Sequence, residues 1–99
     1  MSLRLSGGRR LHSPPGEIAR PTPSRVRLAV MNMLAAELPS CHWLDLFCGS
    51  GVMGCEALQR GAATVVAVDQ QRSMAAISRT NLELTASAQT KPPNVEVVC

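Results

Sequence analysis

The sequence predicts an α/β fold built on a parallel sheet, and three observations carry that prediction. Residues 42–47 and 64–68 are short, nearly continuous apolar runs, as expected for strands buried on both faces of a parallel sheet. Each run is followed by a segment whose apolar residues recur at helical spacing. A glycine loop, Cys48-Gly49-Ser50-Gly51, joins the first run to its helix, and an acid, Asp69, closes the second run. Alternating strands and helices imply parallel pairing with right-handed crossovers. At 99 residues and 45 % apolar content the chain is one small domain or part of a larger one. The stretch from 40 to 99 holds about three strands and two helices, fewer than a complete doubly wound domain needs.

The elements follow in order. Residues 1–21 read as an extended arm, because Gly7-Gly8, Pro14-Pro15-Gly16 and Pro21 interrupt any helix. Short strands near Leu3–Leu5 or Arg10–His12 are compatible with that reading. A helix is expected to begin at Thr22-Pro23, with Thr22 as cap and Pro23 at the first helical position. Val26, Ala29, Val30, Met33 and Leu34 would share its buried face, Leu28 would fall opposite, and Pro39 would stop it. After the strand at 42–47 and the glycine loop, a second helix runs to about Arg60 and Gly61 suits its end. Thr64–Val68 is the clearest strand. A helix from about Gln71 to Leu84 carries Met74, Ile77, Asn81 and Leu84 along one stripe, and Val95–Val98 starts a third strand. The domain boundaries are therefore 1–21 for the arm and 22–99 for the body.

Charge is placed unevenly. In residues 1–27, six arginines against Glu17 give +5; in 28–99, four basic against six acidic residues give −2. A basic arm on a near-neutral body suits a polyanion partner, or is simply a solvated tail. The four cysteines, at 41, 48, 55 and 99, have no zinc-type spacing and read as reduced cytoplasmic thiols. His12 and His42 are too far apart in sequence to suggest a metal site. No apolar run approaches transmembrane length, and no secretory h-region follows Met1. The Arg-rich, acid-poor start leaves an organelle transit peptide as an alternative to a cytoplasmic location.

Gly49, Gly51 and Gly54 fit G-x-G-x-x-G between a strand and a helix, with Asp69 placed 20 residues after Gly49. Glycines there let the backbone turn tightly and approach a ligand, and an acid at the tip of the next strand can accept hydrogen bonds from ribose hydroxyls. A dinucleotide pyrophosphate seeks the helix N-terminus and is repelled by carboxylates. This chain puts Asp45 four residues before Gly49. That acid suits a cationic ligand such as the methionine part of S-adenosylmethionine, or braces the loop by accepting backbone N–H groups, and both roles can hold at once. No Gly-Lys-Ser/Thr follows, which excludes a P-loop. Cys48 at a helix N-terminus could be an activated nucleophile, but no base lies near it in sequence.

Asp45-Leu46-Phe47-Cys48-Gly49-Ser50-Gly51 resembles the first motif of class I S-adenosylmethionine-dependent methyltransferases. Gly8-Arg9-Arg10-Leu11, Arg20-Pro21-Thr22, Arg25-Val26-Arg27 and Gly51–Leu58 with Arg60-Gly61-Ala62 look more narrowly like the bacterial family that methylates the exocyclic N2 of a guanine in 16S ribosomal RNA. The resemblance covers residues 4–99 and implies a partial Rossmann-like class I methyltransferase fold, the N-terminal half of the enzyme. It implies that Asp45, Gly49 and Gly51 shape the methionine end of an S-adenosylmethionine pocket, with Phe47, Cys48 and Ser50 in the same loop. Asp69 would hold the ribose, Gln70 would lie beside the adenine, and Thr22 near the cofactor mouth. Arg9, Arg10, Arg20 and Arg25 would face 16S RNA or the small ribosomal subunit. No metal or membrane is implied. Leu28 stands where the family tends to carry an acid. The family's Asn/Asp-Pro-Pro-aromatic reaction loop is absent and is expected beyond Cys99, so no catalytic residue is assigned and the chain alone is expected to be inactive. Two other readings are a non-catalytic RNA-binding module with a methyltransferase-like half-fold and a fragment of an NAD-type oxidoreductase.

Overall fold

A computed structural model describes residues 3–13 and 22–99. Strands β1 (Leu3–Arg4) and β2 (Arg10–Leu11) come first, then helix α1 (Ser24–Met33) and strand β3 (His42–Leu46). Helix α2 (Val52–Gln59), strand β4 (Thr64–Val68), helix α3 (Arg72–Ser87) and strand β5 (Asn94–Val98) follow. The last three strands form one parallel sheet in the order β3-β4-β5. Its register sets Asp45 beside Ala67 and Val97, and Leu44 beside Val66 and Glu96. The predicted strand–helix alternation is therefore present, and each crossover is a single helix.

Helix α2 packs on β3 and β4, and α3 packs on β4 and β5. Both lie against the sheet face that carries Trp43, Asp45, Val65, Ala67, Val95 and Val97. Val65 and Ala67 are fully buried there, with Cys55, Ala57 and Leu58 of α2 and Leu82 of α3 around them. Close approach of α2 to the sheet depends on Gly54, since a Cβ on it would sit 2.9 Å from Val65 Cγ1 and 3.0 Å from Leu82 Cδ2.

Strand β3 is not buried on both faces as predicted. Leu44 and Leu46 are 62 % and 60 % exposed. The reason is geometric: β3 is an edge strand of the described sheet, and among the described residues no helix covers its second face. The exposed apolar residues of that face, Leu44, Leu46 and Val98, alternate with the buried ones because successive strand residues point to opposite sides.

Helix α1 also differs from its predicted form. Pro23, not Thr22, occupies the cap position, and no side chain caps the helix; the Pro23 carbonyl accepts from Val26 N and Arg27 N at 3.0 Å each. Its buried residues are Arg27 and Met31, while Val26 and Met33 are exposed and Leu28 lies outward as predicted. Arg27 draws the helix round, because it has a buried carboxylate partner on α2 that an apolar periodicity count ignores. The helix ends at Met33 and leaves through turns, so Pro39 does not stop it. On α3 the buried stripe is Met74, Ala75, Ser78, Asn81, Leu82, Thr85 and Ala86; Leu84 lies outside it. Small and polar residues fill that stripe because α3 lies close against α2 and the glycine loop.

Short strands form in the arm at both of the places the sequence allowed, but the arm doubles back instead of running straight over its described part. Residues 3–11 fold back as an antiparallel hairpin with Leu3 opposite Leu11 and Arg4 opposite Arg10. Leu5 N donates to Arg9 O at 2.8 Å across the Ser6-Gly7-Gly8 turn. Leu3, Leu5 and Leu11 are buried in the same apolar cluster as the body. Residues 14–21 lie outside the described residues.

Candidate functional site

Strand β3 ends at Leu46, and Phe47 follows in the left-handed backbone region at φ 58. Phe47 is 79 % exposed, so its ring is presented outward at the sheet edge. Cys48 N donates to Val68 O at 2.9 Å, which fixes the start of the loop to the end of β4. The loop then turns through Gly51, which caps α2 at φ 82 and donates to Cys48 O at 2.9 Å. A side chain there would be strained by the backbone and would meet Ser78 Oγ at 2.6 Å. The glycine is thus required twice, by its dihedral and by the approach of α3.

Asp69 holds this loop in place. Its Oδ2 accepts from Gly49 N at 3.0 Å and its Oδ1 accepts from Gln71 N at 2.9 Å. Asp69 N donates to Val98 O at 3.1 Å, so the carboxylate stands at the shared C-terminal edge of the sheet. The bracing role that the sequence offered to Asp45 belongs to Asp69. Each carboxylate oxygen has a second lone pair, so Asp69 keeps acceptor capacity for a ligand.

Asp45 lies on the helix-covered face, and its Oδ2 is buried with no hydrogen-bond partner among the described residues. Burial chiefly, and then the Asp69 charge, push its pKa from 3.8 up to about 6. A buried, unpartnered carboxylate oxygen carries a desolvation cost until a donor reaches it. Among the described residues the one ion pair is Arg27–Glu56, so no cation answers Asp45 or Asp69. The Cys48 thiol is raised above its ordinary value, first by burial. That disfavours the thiolate and counts against the activated-nucleophile reading.

The other predicted residues divide into two groups. Ser50 is buried beside the glycines and Gln70 is exposed at the tip of β4, both at the loop. Thr22 belongs to a different network: its carbonyl accepts from Arg27 Nη1 at 2.8 Å. Arg9, Arg10 and Arg25 are exposed. Arg20 lies outside the described residues.

Sequence reasoning missed three contributors. Arg4 is exposed and stands directly across the hairpin from Arg10; the Leu3-Arg4-Leu5 alternation carried that signal. Glu56, 1 % exposed on α2, accepts at Oε2 from Arg27 Nε at 3.0 Å, Ser6 N at 3.0 Å and Ser6 Oγ at 3.1 Å. Arg27 Nη2 also donates to Arg4 O. The hairpin is therefore bolted to α1 and α2 through one buried ion pair. The third is Asn81, buried on α3, which bonds to His12 and Ser50. Among the described residues no His, Cys, Asp or Glu cluster could hold a metal, and no helix is long and apolar enough to cross a membrane.

Residues 5–97 match the family described as conserved hypothetical protein 95. The chain is 38 % identical over 85 residues to YlbH of Bacillus subtilis (strain 168), provisionally named an rRNA methyltransferase, which covers 83 % of this chain and 46 % of YlbH. It is also 38 % identical over 76 residues to ribosomal RNA small subunit methyltransferase D of Escherichia coli (strain K12), covering 73 % of this chain and 38 % of that protein. A solved Escherichia coli structure, the provisionally named methyltransferase yhhF, superposes with a TM-score of 0.79 at 32 % identity and covers 99 % of this chain and 51 % of that chain. The chain thus spans less than half the length of the curated relatives it matches.

Proposed function

This chain belongs to the family described as conserved hypothetical protein 95, and from that premise we propose that it forms the cofactor-binding part of an S-adenosylmethionine-dependent methyltransferase acting on the exocyclic N2 of a guanine in 16S ribosomal RNA. The observation that carries the reading is the unpartnered Asp45 oxygen beside a glycine loop braced by Asp69. A dinucleotide pyrophosphate at that loop would face two carboxylates and no cation. A cationic amino acid moiety would instead complete the bonding of Asp45.

When bound, S-adenosylmethionine supplies an activated methyl group on a positively charged sulfur. In this reading Asp45 accepts from the ligand's ammonium, and Asp69 keeps its loop amides while accepting from ribose hydroxyls. Gly49, Ser50 and Gly51 present a wall with little side-chain bulk, with Phe47 and Cys48 at its start and Gln70 beside the adenine. The exposed Arg4, Arg9 and Arg10 on a hairpin buttressed by buried leucines bind RNA phosphates, joined by Arg20 and Arg25. Such contacts position the nucleic acid without reading its sequence. An RNA substrate of this kind places the protein in the cytoplasm, with the small ribosomal subunit as partner.

Calorimetric titration of the full protein tests the cofactor assignment. S-adenosylhomocysteine is expected to bind and NAD to give no saturable heat; binding of NAD alone would overturn the reading. For the hairpin, the double variant Arg9→Ala/Arg10→Ala is expected to weaken 16S RNA binding and to lower the slope of log affinity against log salt by roughly 1 to 2. An unchanged slope would remove both arginines from the interface.

A further inference from the structure

Asn81 has no exposed surface and uses its carboxamide in both directions. Its Oδ1 accepts from His12 N at 2.8 Å, and its Nδ2 donates to His12 O at 2.9 Å and to Ser50 O at 2.9 Å. The pair of bonds to His12 is what one strand residue offers another, so the side chain acts as a strand partner at the end of the hairpin. Its remaining donor holds the glycine loop through the buried Ser50.

We propose that Asn81 is a positioning residue that couples the basic hairpin to the cofactor loop, so that RNA on the one and cofactor on the other tighten each other's binding. The inference rests on the function proposed above for the identity of the two ligands. The physical basis is the planarity of the carboxamide. Its oxygen and nitrogen move as one unit, so a shift of His12 cannot be followed without moving the donor on Ser50. Releasing either partner would strand a buried polar atom without a hydrogen bond. Hairpin and loop therefore share one arrangement rather than relaxing independently. Glu56 adds a second tie from the hairpin to α2, the helix that the glycine loop opens.

The test is a linkage measurement on the full protein. S-adenosylhomocysteine affinity is measured with and without a saturating 16S ribosomal RNA transcript, and RNA affinity with and without S-adenosylhomocysteine. Each ligand is expected to tighten the other by the same factor, about fivefold or more. In Asn81→Ala both ligands still bind and the factor falls below about twofold. His12→Ala keeps the factor, because only backbone atoms of His12 take part. A fold-stabilising role alone would weaken both ligands and leave their mutual factor intact, and that result overturns the proposal. Should Asn81→Ala fail to fold, hydrogen exchange on the unaltered protein decides: S-adenosylhomocysteine must slow exchange of the His12 amide, and unchanged exchange overturns the coupling. Binding of each ligand without linkage defeats the coupling alone; no binding of S-adenosylhomocysteine defeats the cofactor reading and the coupling with it.

Discussion

Glu56→Ala is expected to remove about 3–5 kcal/mol of stability, because it leaves the Arg27 guanidinium buried without its charge partner. Arg27 is only 3 % exposed, so water cannot replace the carboxylate. The same change frees Ser6 N and Oγ, and with them the hairpin's attachment to α2. Urea unfolding measures the first effect, and trypsin cleavage after Arg9 and Arg10 measures the second. A domain of this size has roughly 5–15 kcal/mol in total, so the loss takes a large share of it. The paired replacement Arg27→Met/Glu56→Leu is expected to recover much of the midpoint, since two apolar residues of similar volume need no partner. Hairpin protection is not expected to return with it. A loss under about 1 kcal/mol in Glu56→Ala would mean that the pair is wet and exchangeable.

Asp45→Asn is expected to move stability and affinity in opposite directions. The folded pKa of Asp45, about 6, lies above its ordinary 3.8. Between those values the folded state binds more protons than the unfolded one, so Asp45 makes stability fall as pH rises from about 4 to about 6 and stay lower above. The neutral amide removes that fall, and Asp45→Asn is more stable than the parent at pH 7. A cationic ligand reverses the preference because it needs the ionised carboxylate. S-adenosylhomocysteine is therefore expected to bind the parent about tenfold more weakly at pH 5 than at pH 7. The variant should show a flat profile and an affinity lower by about 10- to 100-fold at pH 7, from the lost charged hydrogen bond. A parent profile that is flat from pH 5 to 7 would separate Asp45 from the ligand.

The strands, their alternation with helices and the glycine loop were legible because they are written locally. Val65-Val66-Ala67-Val68 is a strand by composition, and the loop's glycines follow a strand and open a helix. The inward turn of α1 was not legible, since Arg27 is buried by a partner 29 residues away and a count of apolar positions treats it as solvent-facing. The one misplaced role in the candidate site is the bracing of the glycine loop, which the sequence offered to Asp45 and the structure gives to Asp69. Both acids were visible, but only the register, with Asp69 past the end of β4, shows which one reaches the loop amides. The hairpin's attachments were invisible for a simpler reason. Asn81 and Glu56 are ordinary helix residues until a backbone from far away in the sequence is laid against them.

Those attachments also set the order in which the molecule can assemble. Ser6 meets its carboxylate across 50 residues, and His12 meets its carboxamide across 69. Closing such spans costs chain entropy before any bond is gained, whereas β3-α2-β4 and β4-α3-β5 close over short distances. The hairpin is thus expected to dock after these local units have closed. Until α2 and α3 are both in place, the hairpin lacks Glu56 and Asn81 to hold it, so its structure depends on residues made well after it.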